Sequence, residues 1–195
     1  YISRDSDGLE LHYQNNTVLA DVKSDYQHIQ VLENDEFGKM LIIDGDIQLT
    51  ERDEKHYHEM IAHVPLNYIP NANRVLIIGG GDGGTAREVL RHKNLEEVVM
   101  IEIDREVVRL AKEFFPNMHD YSNTKLNLQI GDGALYVKSL SEESNLTNDR
   151  MFDVIIIDST DFSKAFSLFT DQFYRNCKKI LKPSGCMVFN AFSLS

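Results

Sequence analysis

The chain is short of basic residues, of cysteine and of long apolar runs, and each shortage removes a class of function. Its 20 lysines and arginines face 31 aspartates and glutamates, a net charge of −11. A phosphate backbone requires a basic face, so that balance excludes a nucleic-acid partner. It admits a cationic small molecule, although an acid excess also serves solubility alone. Cys177 and Cys186 are too few for a disulfide framework, which points to a reducing compartment and a cytoplasmic location. No apolar run reaches the length of a membrane span, and no signal-peptide pattern opens the chain, so no membrane partner is expected. Repeats and low-complexity tracts are missing, and no His/Cys/Asp set has metal-ligand spacing, so no metal is expected. Most of the upstream histidines, among them His28, His56 and His63, read as surface or packing residues. A length of 195 residues suits one domain, or one domain with a small appendage. The chain opens at Tyr1 rather than Met, which fits a trimmed or partial chain.

The pattern changes character near residue 54. Before it, the residues read as short antiparallel strands. Tyr26 to Leu32 alternates polar and apolar, Phe37-Gly38 marks a turn, and Asp44-Gly45 between Lys39–Ile43 and Asp46–Thr50 is a tight-hairpin signal. After it, Tyr57, Met60, Ile61 and Val64 fall at helical spacing, with Pro65 expected to end the helix. Strands and helices then alternate. Strands are expected at Val75–Ile78, Val98–Ile103, Leu126–Ile130, Val154–Ile157 and Met187–Phe189, and helices at Thr85–His92, Arg105–Phe115, Ala134–Leu140 and Asp171–Leu181. Such alternation implies a parallel sheet with right-handed crossovers. Glu142 to Arg150 is polar and unpatterned, a surface loop.

The chemistry gathers where the strands end. Gly79, Gly81 and Gly84 satisfy G-x-G-x-x-G between a strand and a helix, and Glu102 follows at the distance of a ribose-binding acid. The usual ligand of such a turn is a pyrophosphate. Asp82 inside the turn opposes that reading, because a carboxylate there repels phosphate by several kcal/mol, order of magnitude, in a partly dry site. The same carboxylate suits a sulfonium or ammonium group, as in S-adenosylmethionine or its decarboxylated form, and it also suits a helix cap. Two further strands end in Asp132 and Asp158, with Asp161 close behind. Acids at consecutive strand ends share the edge where open α/β sheets bind ligands. Crowded carboxylates raise one another's pKa unless cations neutralise them, and a polycationic substrate does so.

At this point the sequence resembles the polyamine aminopropyltransferases, the spermidine synthase family. The resemblance rests on Val75 to Gly84 with Arg87-Glu88-Val89, on Ile47 to Glu54 running on to Tyr57-His58-Glu59-Met60 and His63-Val64-Pro65-Leu66, and on several shorter segments. These are Tyr26-Gln27, Glu102-Ile103-Asp104, Gly131-Asp132-Gly133, Asp158-Ser159-Thr160-Asp161 and Ser167-Leu168-Phe169-Thr170. It covers nearly the whole chain from about Tyr13.

The resemblance implies a Rossmann-like (methyltransferase-type), mostly parallel sheet over residues 54–195 behind a small N-terminal antiparallel β domain over 1–53. It implies transfer of an aminopropyl group from decarboxylated S-adenosylmethionine to putrescine, giving spermidine and methylthioadenosine, with no further cofactor. Gln27, His58, Asp82, Glu102, Asp132 and Gly133 would bind the donor, where many relatives carry Gln in place of His58. Asp158 would be the catalytic acid–base group and, with Tyr57 and Asp161, would hold the acceptor. From the helix pattern alone Tyr57 also reads, as the lesser alternative, as a packing residue. A homodimer is also implied.

Two departures stand out. The run Asp161 to Ser167 lacks the Pro and Gly-Pro of most relatives, which leaves the acceptor amine open. Relatives also continue beyond Ser195, so a complete acceptor site is not expected within this length. The alternatives are a spermine or thermospermine synthase, a putrescine N-methyltransferase, or a non-catalytic donor-binding module.

Overall fold

The computed structural model describes residues 2–4, 10–14, 16–159 and 166–190, with side chains from residue 12 onward. Asp161 and the run from Phe162 to Ala165 lie outside the described residues.

Two short strands, β1 (Ile2–Arg4) and β2 (Glu10–His12), pair antiparallel ahead of a four-stranded antiparallel sheet. That sheet runs in chain order through β3 (Thr17–Lys23), β4 (His28–Asn34), β5 (Gly38–Ile43) and β6 (Asp46–Thr50). The β5–β6 hairpin turns at Asp44-Gly45, with φ of 53° and 92°, the left-handed pair that the strand twist favours. One face of the sheet buries Ile29, Val31, Leu41 and Ile43 against Val107 and Leu110 of a later helix and against Phe115 and Met118. The other face buries Leu32, Met40 and Ile42.

The rest of the chain is an α/β layer. Helix α1 (Glu54–Tyr68) leads into β7 (Arg74–Gly79), α2 (Gly84–Leu90), β8 (Glu97–Glu102), α3 (Arg105–Phe114), β9 (Leu126–Ile130) and α4 (Gly133–Ser141). A 3-10 turn, β10 (Phe152–Asp158), a second 3-10 turn, α5 (Asp171–Ile180) and β11 (Leu181–Phe189) follow. The sheet order is β11-β10-β7-β8-β9, every pairing parallel. The chain winds outward from β7 to β9 and returns to the other side with β10, so β7 and β10 flank the switch point where such sheets bind ligands.

Both faces of the sheet are covered, which explains its unbroken apolar runs. Val75, Ile77, Val154 and Ile156 pack beneath α1 and α2. Leu76, Ile78, Ile155 and Ile157 pack beneath α4 and α5. Each such side chain contributes about 1.5–3 kcal/mol by leaving water.

Most expected boundaries shift by a residue or two, α2 ending at Leu90 rather than His92, and two move further. Helix α1 does not stop at Pro65 but runs through it to Tyr68. Proline has no N–H for Ile61, yet the Ile69 N–H bonds the Pro65 carbonyl at 2.9 Å, and Pro65 and Leu66 are buried with Ile61 and Ala62. Burial against the sheet offsets the missing bond. Strand β11 begins at Leu181 rather than Met187, because Leu181 already pairs with Phe152 and the irregular register before Cys186 absorbs the Pro183 to Gly185 segment.

The glycine turn after β7 is fixed by crowding. A Cβ on Gly79, whose φ is +84°, would lie 2.0 Å from the Asp158 carbonyl oxygen, itself bonded to the Gly80 N–H at 2.8 Å. Gly79→Ala is therefore expected to lower stability by about 2–4 kcal/mol, read as a fall in the urea midpoint with little change in slope. A midpoint equal to that of the parent would contradict this packing.

Candidate active site at the carboxyl edge

Because the sheet order is β10-β7-β8-β9, the acids at the strand ends stand in the order Asp158, Asp82, Glu102, Asp132 along one edge. They are not equivalent there.

Asp158 closes β10. Its Oδ1 accepts the Tyr57 hydroxyl at 2.5 Å and its Oδ2 the Thr85 hydroxyl at 2.6 Å. Tyr57 thus unites both of its expected readings: its ring packs against the apolar cluster under α1 while its hydroxyl reaches the sheet edge. Burial pushes the Asp158 carboxyl up, and the charge of Asp82 pushes it further, against the pull of His58, Thr85 and Tyr57. Tyr57 is held well above the usual phenol range by burial and by the Asp158 charge, so it stays a donor.

Asp82 sits in the turn and accepts the Gly84 N–H at 2.7 Å, which anchors the start of α2. The same Oδ1 lies 3.2 Å from His58 Nε2. Asp82 is therefore not the cap of α2, a place taken by Gly83, but it holds the first helical amide from one residue further back and also faces the site. Burial opposes its charge, but His58 and the Gly84 amide hold its carboxyl below the usual range.

His58, from α1, is 1% exposed and spans two acids. Its Nδ1 lies 2.6 Å from Glu54 Oε2, and Glu54 is in turn clamped by Arg87 at 2.9 and 3.1 Å. Burial disfavours the imidazolium, but the hydrogen bonds to Asp82 and Glu54 outweigh it and raise the pKa to about 10. His58 is a fixed cation at neutral pH. A cleft of about 360 Å³ opens beside it, lined by Gln48 and Leu49 of β6 and by Glu54, Tyr57 and His58 of α1.

Glu102 is buried at the end of β8 and accepts the Asp104 N–H at 2.8 Å. Burial raises its pKa to about 7 despite that bond. Gly81 lies against it so closely that a Cβ there would stand 2.7 Å from Glu102 Oε2. Asp132 differs: its Oδ1 caps α4, accepting the Ala134 and Leu135 N–H groups at 2.7 and 3.1 Å. Gly133 opens α4 where a Cβ would strike Ile78, and Gly84 opens α2 against the His58 ring. Gln27 lies just before β4. Its amide donates to Asp104 Oδ2 at 3.0 Å, beside the Ser24 hydroxyl at 2.6 Å, and so ties the N-terminal sheet to the cap of α3. Asp161 is outside the described residues.

Sequence spacing contains no His/Cys/Asp ligand set, yet the fold brings one ligand-type atom from each of His58, Asp82 and Asp158 within 4.8 Å of the others. The three come from separate segments, which hides the grouping from spacing. Each side chain is engaged by protein hydrogen bonds, so the cluster reads as a charge network.

Several participants carry no motif. Thr85 reaches Asp158, and Tyr121 donates to the Gly81 carbonyl at 2.6 Å, whereas Glu54 and Arg87, which set His58, lie within the family motifs, which assign them no role. His119 stacks on Tyr121 with centroids 4.3 Å apart, and neither of its buried ring nitrogens has a hydrogen-bond partner. Only the polar residues flanking the motifs could have suggested them.

A glycine turn at the switch point of a parallel sheet, edged with acids, defines a Rossmann-like fold. Its relatives are more specific. A profile described as the spermine/spermidine synthase domain matches residues 54–194, and one described as the spermidine synthase tetramerisation domain matches residues 1–51. Spermidine synthase 1 of Hyoscyamus niger is 44% identical over 179 residues, covering 91% of this chain and 55% of that protein. Spermidine synthase 2 of Arabidopsis thaliana is also 44% identical, over 91% of this chain and 51% of its own length. A spermidine synthase solved in complex with the transition-state analogue AdoDATO superposes with a TM-score of 0.87 at 37% identity, covering 97% of this chain and 63% of that one. The enzyme from Thermotoga maritima gives 0.85 at 37% identity, with 97% and 62% covered. The chain belongs to the spermine/spermidine synthase family, and it spans about half the length of the curated relatives it matches.

The two raised pKa values set a pH dependence. Glu102 holds its proton to about pH 7 when folded, against an ordinary 4.5, so its share of stability is full below 4.5 and lost by 7. His58 adds stability below 6.5 that is lost as pH rises to about 10. The difference between parent and Glu102→Gln unfolding free energies, from urea titrations, is expected to change by on the order of 1 kcal/mol per pH unit between 4.5 and 7, the parent losing stability as pH rises. A flat difference curve would contradict the burial of that proton.

Proposed function

We propose that the protein transfers an aminopropyl group from decarboxylated S-adenosylmethionine to putrescine, forming spermidine and methylthioadenosine. The observation that carries this reading is Asp158 at the switch point, held by Tyr57 and Thr85 one strand from Asp82. A base with a raised pKa is there paired with an acid fixed as an anion.

In the reaction, a putrescine nitrogen must lose a proton before its lone pair can attack. Asp158 accepts that proton, directly or through water, and its raised pKa brings it closer to an amine's working range. The new N–C bond forms at the methylene carbon as the C–S bond breaks. The bonding pair returns to sulfur and leaves neutral methylthioadenosine. A sulfonium is already activated, so no cofactor is needed and catalysis is mainly alignment. Tyr57 orients Asp158 and the attacking nitrogen, and Asp161 holds the distal ammonium. Asp82 faces the ammonium of the donor arm with His58 behind it, and Glu102 takes the ribose hydroxyls. Asp132 keeps one oxygen on the α4 cap and offers the other to the adenine amino group, with Gly133 beside it. Gln27 serves the donor through its amide oxygen.

The protein is proposed to act in the cytoplasm. Among the described residues no helix is long and apolar enough to cross a membrane. It self-associates through the N-terminal β region, as the description of the matching profile supports, with a homodimer as the smallest assembly.

The test is incubation with putrescine and either donor form, reading products by mass. An aminopropyl gain from the decarboxylated donor is expected. A methyl gain from S-adenosylmethionine would point to an N-methyltransferase, and donor binding without turnover to a binding module. Asp158→Asn is expected to lower kcat at least about 100-fold while donor affinity changes little. Near-parental turnover would remove Asp158 from the role of base.

A further inference from the structure

The segment after α3 lies against the glycine turn. Phe115 and Met118 are buried with the N-terminal sheet, and Arg87 of α2 donates to the Met118 carbonyl at 3.2 Å. These anchors bring His119 and Tyr121 onto the turn. A Cβ on Gly83, whose φ is +89°, would lie 2.5 Å from the His119 Cβ and 3.0 Å from the Tyr121 hydroxyl oxygen. The Tyr121 ring stacks on His119 with planes at 21°, and the Lys112 ammonium lies 5.1 Å from its centroid. Those contacts fix the direction of the hydroxyl, which donates to the Gly81 carbonyl at 2.6 Å. Among the described residues no other hydrogen bond reaches that carbonyl.

The two peptides that meet at Gly81 have separate anchors. The Gly81 N–H donates to the Glu102 carboxylate. The Gly81 carbonyl belongs to the next peptide, whose N–H is that of Asp82. In a trans peptide the carbonyl and the N–H point in opposite directions. With its carbonyl on Tyr121, this peptide turns its N–H to the Asp82 carboxylate, which accepts it. Burial and the charges of Asp82 and Glu102 hold the Tyr121 phenol above its usual range, so the hydroxyl remains a donor.

We propose that Tyr121 is a positioning residue of the donor site, its hydroxyl fixing the Gly81–Asp82 peptide and through it the direction of the Asp82 carboxylate. The role rests on the proposed function, in which Asp82 faces the ammonium of the donor arm. Without the hydroxyl the Gly81 carbonyl has no partner, and the peptide rotates to find another donor. Asp82 then loses its own amide and its aim. Glu102 keeps its grip on the turn through the separate Gly80–Gly81 peptide. The loss therefore falls on the arm of the ligand and spares the nucleoside.

Tyr121→Phe removes the hydroxyl and keeps the ring and its stack. Calorimetry on the full chain compares decarboxylated S-adenosylmethionine, which has the ammonium arm, with methylthioadenosine, which lacks it. The variant is expected to bind the decarboxylated donor at least about fivefold more weakly than the parent. Its affinity for methylthioadenosine should stay within about twofold, and its melting temperature within a few degrees. In turnover the donor KM should rise by the same factor while kcat stays within about twofold. Equal weakening of both ligands would make Tyr121 a merely structural residue, and parental affinity for both would remove it from the site; either overturns the proposal. A parent that binds neither ligand would overturn the proposed function itself, and the positioning role with it.

Discussion

The organising constraint is the closeness of two carboxylates, Asp82 and Asp158, at the ends of adjacent parallel strands. Neither is stable there as a bare anion. Burial and mutual repulsion push Asp158 up, whereas Asp82 stays ionised because His58 faces it. The neighbouring elements are placed to answer that repulsion. Tyr57 and Thr85 supply hydroxyls to one acid, and the Gly84 amide and His58 satisfy the other. The glycine turn must pass close enough to bond its Gly80 amide to the Asp158 carbonyl, which leaves no space for a side chain at Gly79.

The charge on His58 has its own support. Asp82, His58, Glu54, Arg87 and Glu88 alternate in sign from the sheet edge outward along the α1–α2 contact. Buried charges are costly alone and tolerable in such an alternating series, where every partner is also hydrogen-bonded. The series makes the position of α1 part of the site, since removing any member strands its neighbour. On the other flank, Ser24 and Gln27 converge on Asp104, and the apolar face of the N-terminal sheet closes over α3. The edge is therefore set from both sides by the N-terminal half of the chain.

Much of this was legible in the sequence because it follows from local rules. The Asp44-Gly45 hairpin, the covered parallel strands and the row of acids at their ends are all consequences of turn chemistry, apolar runs and the topology of alternating elements. The misreadings came from energies that sequence pattern does not contain. Pro65 ends a helix by propensity but not once Leu66 and Pro65 are buried. Spacing could not bring His58, Asp82 and Asp158 together, because their meeting depends on α1 packing against α2 and β10. Gln27 and Asp132 carry family motifs, yet in the fold both also hold structural elements, the cap of α3 and the cap of α4. Thr85 is an ordinary helix residue until packing aims it, and Glu54 and Arg87 sit in family motifs whose pattern does not say that they hold His58.

The net charge of −11 is partly accounted for by this edge. Asp82, Glu102, Asp132 and Asp158 stand at the ends of neighbouring strands along one edge, and under the proposed function a cationic ligand answers that charge. The direct test is to compare the binding of decarboxylated S-adenosylmethionine and S-adenosylmethionine by calorimetry at neutral pH. The two differ by one carboxylate, which would meet the Asp82 region. The decarboxylated ligand is expected to bind at least about tenfold more tightly, a difference of about 1.4 kcal/mol or more. Equal affinities, or a preference for the carboxylated form, would contradict the account of the acidic edge.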